Sequence, residues 1–349
     1  MKIAIVSIYS NNFGSFFQAS ALSNYLQGLG HETYFANNIN NVSHYMRYVF
    51  LRACKRALVG GFKEAQFIFK LNSAYRRARK SFKFSSFQKD TDVVVYGSDT
   101  IWNLEDPTFN IHRKKFWGLD YDGAKFTYAV SLANTPACAV LGDNNLVKAL
   151  NDFKAISVRD EYTRSVINQI VDDEKITSVI DPTMLLDVDY YKNIMPECED
   201  KDFIFVYMFD ELTQEAKSTI KQFAKEKGKK IITVAPYISW TDKTIYNSPY
   251  EILSYFYNAD YVITDTFHGN IFSIIFNKQY VSIERDKNKV NNLLKLCGLE
   301  HRNACDKDAL LDALQTNINY DVINAKIEKI KQDSKKYINT APETIKGNI

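Results

Sequence analysis

Short apolar runs and amphipathic stretches alternate along the chain from its first residues. KIAIVSIY (2–9) is β-branched and apolar, the pattern of a strand covered on both faces. After the loop SNNFG, the stretch SFFQASALSNYLQGLG carries Phe17, Leu22, Leu26 and Leu29 at helical spacing and stops at Gly30. HETYFANN then reads as a second strand. This order of strand, glycine loop, helix and strand opens a parallel α/β sheet. DVVVYG (92–97), KFTYAVSL (125–132), AISVRD (155–160) and TSVIDP (177–182) are expected to extend it.

The pattern restarts after an acidic joint, MPECEDKD (195–202). FIFVYMF (203–209), IITVAPY, YVITDTFHG and QYVSIE read as strands. Helices are expected over 213–228, 248–259, IFSIIFN and 289–298, with a last charged helix over 321–337. The expected organisation is therefore an N-terminal α/β domain (1–195), a C-terminal α/β domain (202–320), and a helix and tail (321–349). Two such halves imply a cleft, and ligands of open parallel sheets sit at the carboxyl ends of the strands.

Composition narrows the picture. With 46% hydrophobic and 24% charged residues the chain is an ordinary core-forming protein, and 13 Gly and 7 Pro leave little material for long linkers. A net charge of +3 does not describe a general nucleic-acid binder. That balance conceals one segment. Twelve basic residues and one acid lie between His44 and Lys89, a local charge of +11 that leaves −8 on the remainder. Aromatic residues are interleaved with these charges, and Phe67, Leu71, Tyr75, Ala78 and Phe82 recur at three-to-four spacing. Such a segment can lie on anionic lipid, hold an acidic or lipid-linked glycan, or pack on the sheet with a solvated basic back. Five cysteines without a CxxC pair favour a reducing compartment, and the opening apolar run is too short for a secretory signal. No run of 18 apolar residues exists to span a membrane. No His, Asp or Glu cluster has metal-ligand spacing, so no metal is expected.

Most unusual polar residues fall right after strands. Asn12 and Gly14 lie in a glycine loop ahead of a helix, which suits a phosphate or carboxylate, or simply forms a turn capped by Ser15. Gly97, Ser98 and Asp99 follow an apolar run, and Asp99 can accept a proton from a sugar hydroxyl or cap the next helix. Trp102 can stack on a sugar or pack internally. Ser131 and Arg159 end two more strands. Arg159 suits bidentate contact with an anion, or an internal ion pair with its neighbours Asp160 and Glu161. Thr264, Asp265, His268 and Gly269 form the strongest cluster. A histidine opening an apolar helix beside a carboxylate can act as an acid near neutral pH.

Together the motifs IAIVSIYSNNFGSFFQASALSNYLQGLGH, VVYGSDTIWN, YAVSL, ISVRDEYT, VIDPTMLL and VITDTFHGNIFSIIFNKQYVSI resemble the polysaccharide pyruvyl transferase family, in its order and over roughly residues 1–300. The resemblance implies two Rossmann-like α/β domains facing a cleft, similar to the GT-B glycosyltransferases. The first domain, with the basic insert 44–89, would take the acceptor, and the second the donor. The implied activity moves the enolpyruvyl part of phosphoenolpyruvate onto a sugar, forms a pyruvate ketal and releases phosphate, with no cofactor.

On that pattern Asp99 activates the hydroxyl, and His268 protonates the enol carbon or stabilises leaving phosphate. Arg159 and the turn Asn12–Gly14 hold carboxylate or phosphate. Arg285 and Lys289 are further donors, and Gln18, Gly97, Ser98, Ser131, Thr264, Asp265 and Gly269 line the substrate. Many members look like Arg-Leu-His-Gly where this chain has Thr266-Phe267-His268-Gly269. The implied acceptor is a glycan or lipid-linked glycan at the inner face of a membrane, with no nucleic acid involved. Two rivals remain on the same architecture: a glycosyltransferase using a nucleotide-sugar, and a non-catalytic glycan-binding protein.

Overall fold

A computed structural model describes residues 1–10, 12–36, 62–234, 240–245, 248–283 and 288–347. The chain divides into two compact units, one of Met1–Asn40, Ser81–Leu186 and Lys326–Ile349, the other of Asn41–Lys80 and Asp187–Ala325.

The first unit holds β1 (Lys2–Val6), β2 (Glu32–Ala36), β3 (Phe84–Ser85), β4 (Val93–Asp99), β5 (Lys125–Val130), β6 (Ile156–Val158) and β7 (Ile176–Ser178). They pair in parallel in the order β3-β2-β1-β4-β5-β6-β7. β1 and β4 read KIAIV and VVVYGSD and are buried on both faces, as helix-covered parallel strands must be. The second unit holds β8 (Phe203–Tyr207), β9 (Lys230–Val234), β10 (Lys243–Ile245), β11 (Tyr261–Thr264), β12 (Gln279–Ile283) and β13 (Asn303–Ala304), in the parallel order β10-β9-β8-β11-β12-β13. In each sheet the order reverses once, between β1 and β4 and between β8 and β11. Those reversals are the switch points at which open parallel sheets leave a crevice beyond the strand ends.

Local chemistry sets the helix limits. Phe13–Gly28 is capped by Asn12, and Gln214–Lys227 runs from a Thr213 cap to Gly228 at φ +62°. Pro249–Asn258 opens on a capping box of Ser248 and Glu251.

The unit limits differ from the expected domain limits in three places. The helix Val188–Ile194 precedes the acidic joint yet belongs to the second unit, because Tyr191 buries its ring against Phe272 and Phe276. The helix Phe62–Ala78, read as part of an insert in the first domain, belongs to the second, where it packs against Pro249–Asn258. Phe82, expected on the same apolar stripe, instead stacks on Phe16 and Phe35 in the first unit. The last helix, Tyr320–Gly347, is shared. Tyr320 donates to Lys278 O in the second unit, while Ser334 Oγ accepts from Ile180 N and Tyr337 donates to Thr127 O in the first. It runs past the expected end at Tyr337 and through Pro342, carried by buried Ile338, Ala341 and Ile345 at helical spacing.

Candidate functional site

At the first unit's switch point the loop after β1 is closed by its own side chains. Asn12 Oδ1 accepts from Ser15 N at 3.2 Å, so Asn12 and not Ser15 is the cap. Ser15 Oγ instead accepts from Ser10 N at 3.1 Å, and Gly14 is buried beneath the turn. Gln18 donates from Nε2 to Ser7 Oγ, Ile8 O and Ser15 O, and its Oε1 accepts from the hydroxyl of Ser98. Gln18 and Ser98 were expected to touch substrate. Both are fully buried and bond each other, fastening the helix to the end of β4.

β4 ends in unusual backbone. Gly97 has φ +128°, and a Cβ there would lie 2.0 Å from Tyr128 O, so β5 admits only glycine. Asp99 has φ +79°, and Ala129 and Ala133 near it also have positive φ. Each such residue costs about 1–3 kcal/mol, and such strain gathers at functional sites.

Asp99 sits inside an ionic chain. Its Oδ1 accepts from Thr100 N at 2.8 Å and from Arg159 Nη2 at 3.2 Å. Arg159 Nη1 donates to Asp181 Oδ2 at 2.9 Å, and Asp181 Oδ1 accepts from both Thr183 N and Thr183 Oγ1. The side chains of Arg159 and Asp181 are 4% and 1% exposed, against 16% for Asp99. Burial pulls the Arg159 guanidinium down in pKa, but Asp99, Asp181 and Asp160 outweigh it, and the group is held above its ordinary value. The internal ion pair therefore forms, with partners from β4 and the turn after β7. Asp160 bonds Thr163 and caps the next helix. Ser131 frames the same end of the sheet: its N–H donates to Asp99 O, and its Oγ accepts from Ala133 N. Trp102 is core. It stacks on Trp117 at 4.7 Å and donates to Phe116 O.

At the second unit's switch point, Thr266 Oγ1 accepts from Gly269 N at 2.9 Å and caps the helix Phe267–Ile275. Thr264 Oγ1 in turn accepts from Thr266 N. A Cβ on Gly269 would lie 2.1 Å from Thr264 Oγ1, so glycine lets this turn close. Thr266 is thus the cap of this helix. His268 is 9% exposed in the first turn of that helix, with the Phe267 ring edge-on at 5.2 Å. Asp265 is buried, and its oxygens accept from Phe209 N at 2.9 Å and Asp210 N at 3.1 Å. Burial and the charge of Asp265 push the neighbouring Tyr207 phenol up in pKa.

Arg285 lies outside the described residues; Lys289 is partly exposed on the helix Asn288–Cys297. Asn270 was not singled out from the sequence. It is fully buried, donates to Thr266 O, and leaves its Oδ1 without a hydrogen bond among the described residues. Among the described residues no group of three or more His, Cys, Asp or Glu side chains could hold a metal ion. Nor is any helix long and apolar enough to cross a membrane.

The model of the family described as polysaccharide pyruvyl transferase matches residues 12–287, from the Asn12 cap to beyond β12. The chain belongs to that family. No curated protein matches it. Among solved structures it is similar to a UDP-GlcNAc 2-epimerase from Methanocaldococcus jannaschii (13% identity, 91% of this chain and 93% of that one, TM-score 0.51). It is also similar to a UDP-GlcNAc 2-epimerase from Neisseria meningitidis bound to UDP-GlcNAc (9% identity, 97% and 99% covered, TM-score 0.52). A third is Arabidopsis thaliana UGT89C1 complexed with UDP-L-rhamnose (10% identity, 99% and 98% covered, TM-score 0.50). These likenesses establish the fold, two parallel-sheet α/β domains of the GT-B type.

Proposed function

We propose that this transferase moves the enolpyruvyl group of phosphoenolpyruvate onto a sugar of a surface-polysaccharide precursor. The observation that carries the reading is the family match, which spans the polar groups at both switch points. In this reading Asp99 takes the proton of an acceptor hydroxyl, whose oxygen attacks C2 of the donor. His268 delivers a proton to the C3 methylene, giving the methyl group, and the C2–O bond to phosphate breaks. A second hydroxyl adds to C2 and closes the ketal, and its proton leaves with phosphate. Fixed charges stabilise the oxocarbenium-like centre in such a step.

Arg159 is largely sheathed by Asp99 and Asp181, so its role here is to hold Asp99 in place. Arg285 and Lys289 supply cationic contact to the donor. The acceptor is a glycan or lipid-linked glycan, met at the inner face of a membrane. Lys70, Arg76, Arg77 and Lys80 are exposed along the described part of the basic segment, while Ala74, Tyr75 and Ala78 are buried. In this reading these exposed cations carry the membrane contact.

The test is phosphate release from phosphoenolpyruvate in the presence of sugar acceptors. Asp99→Asn and His268→Ala should each lower the rate by at least 100-fold, in line with loss of a general acid or base. Release unchanged in both variants would sink these assignments. A nucleotide-sugar glycosyltransferase is the second reading, favoured by fold relatives solved with UDP-GlcNAc and UDP-L-rhamnose.

A further inference from the structure

Residues 179–183, just past β7, are all buried, and Ile180 belongs to no strand or helix. Buried main chain must still place its polar groups. Ile180 gives both of its own to side chains. Its N–H donates to Ser334 Oγ at 3.0 Å, and its carbonyl accepts from the Tyr128 hydroxyl at 3.1 Å. Ser334 and Tyr128 are fully buried. Ser334 spends its own proton on Ile330 O at 3.0 Å, one turn back in the last helix, so its oxygen faces Ile180 as an acceptor. Tyr128 stands on β5 opposite Gly97 of β4. All of these residues belong to the first unit.

The residue after Ile180 is Asp181, which holds Arg159 at 2.9 Å, and Arg159 holds Asp99 at 3.2 Å. Thr183 fixes the other carboxylate oxygen of Asp181. The ionic chain is thus tied, at the end away from Asp99, to main chain held by two distant side chains. One lies 52 residues from Ile180 in sequence and the other 154.

We infer that Ser334 and Tyr128 are positioning residues for Asp99. By fixing Ile180 they set where Asp181 stands, and through Arg159 where the Asp99 carboxylate points. This role rests on the proposed reaction, in which Asp99 is the base. Misplacing a reacting group by about 1 Å can cost about 100-fold in rate, so a support several bonds removed still bears on the step.

The test compares Ser334→Ala and Tyr128→Phe with Tyr337→Phe, each in the full chain. Tyr337→Phe removes a buried hydroxyl of the same helix that donates to Thr127 O rather than to Ile180, and so controls for lost stability. Hydrogen exchange at Thr100 N, which donates to Asp99 Oδ1 at 2.8 Å, reports on the carboxylate without any substrate. It should quicken about fivefold in Ser334→Ala and Tyr128→Phe and hold in Tyr337→Phe. In the same two variants kcat for phosphate release from phosphoenolpyruvate should fall about tenfold, with KM within about twofold, while Tyr337→Phe keeps the parent kcat. Unchanged Thr100 exchange in both Ser334→Ala and Tyr128→Phe overturns the inference, as does equal quickening in Tyr337→Phe. Quickened exchange with kcat intact reduces the two residues to a structural role and also overturns it. Exchange as expected, in a protein that releases no phosphate from phosphoenolpyruvate, leaves Ser334 and Tyr128 as the support of Asp99 and removes the pyruvyl-transfer reading. Phosphate release with unchanged exchange would do the reverse.

Discussion

The two switch points are built on the same strand pattern but are held together differently. In the first unit the polar groups are fixed by charge: Asp99, Arg159 and Asp181 form one buried chain, laid over backbone with positive φ at Asp99 and Ala129. In the second, a single carboxylate, Asp265, fixes the neighbouring loop through two backbone amides, and a threonine caps the helix that carries His268. The first arrangement orients a carboxylate that is only slightly open to solvent. The second fixes main chain and leaves Phe209 outward. Side-chain ion pairs make the first site sensitive to the loss of any one member, whereas amide bonds to one carboxylate confine the effect of its loss to one loop.

The largest effect should come from breaking the ionic chain. Arg159→Met strands Asp181 as a buried carboxylate and should destabilise the protein by about 3–5 kcal/mol in urea unfolding. Adding Asp181→Asn should recover part of that loss; additive single and double variants would show the two residues to be uncoupled. Next, Asp265→Ala removes the acceptor of two amides and should cost about 1–3 kcal/mol. Hydrogen exchange should quicken at Phe209 and Asp210 while the amides around Asp99 stay protected. Quickened exchange around Asp99 would contradict the contrast drawn between the two sites.

The smallest effect concerns Asp200, a carboxylate in the acidic joint. Burial raises its pKa, but hydrogen bonds from Lys243 and Tyr255 win and hold it below the ordinary value. A folded-state pKa below the unfolded one contributes stability at neutral pH that is lost as pH falls through the acidic range. Asp200→Asn should therefore slightly flatten the acid limb of the stability profile; an unchanged limb would remove Asp200 from that account.

Much of this was legible in the sequence, because it depends on residues close together in the chain. Apolar runs such as VVVYG and FIFVY located the long strands, and the polar residues that follow them do lie at strand ends. What escaped notice joins distant positions. Arg159 was read against Asp160 and Glu161, but its partners are 60 and 22 residues away, brought near only by the parallel pairing of β4 to β7. Asp265 was read as a neighbour of His268, whereas its described bonds reach back 56 residues to Phe209. The cap at Asn12 in place of Ser15 is a shift of three residues between two good cap types, which composition does not discriminate. The last helix, expected over 321–337 from its charged stretch, runs on through Pro342 to Gly347 because burial of Ile338, Ala341 and Ile345 carries it.

The measurement that bears most directly on the proposed activity is thermal unfolding of the full chain with phosphoenolpyruvate, compared with UDP and UDP-sugars. A ligand at 100 times its dissociation constant adds about 2.7 kcal/mol, a readily measured rise in Tm. The account predicts a rise with phosphoenolpyruvate that disappears in His268→Ala. A rise with UDP or UDP-sugars alone would contradict it, leaving the fold in place and assigning the chain to nucleotide-sugar chemistry.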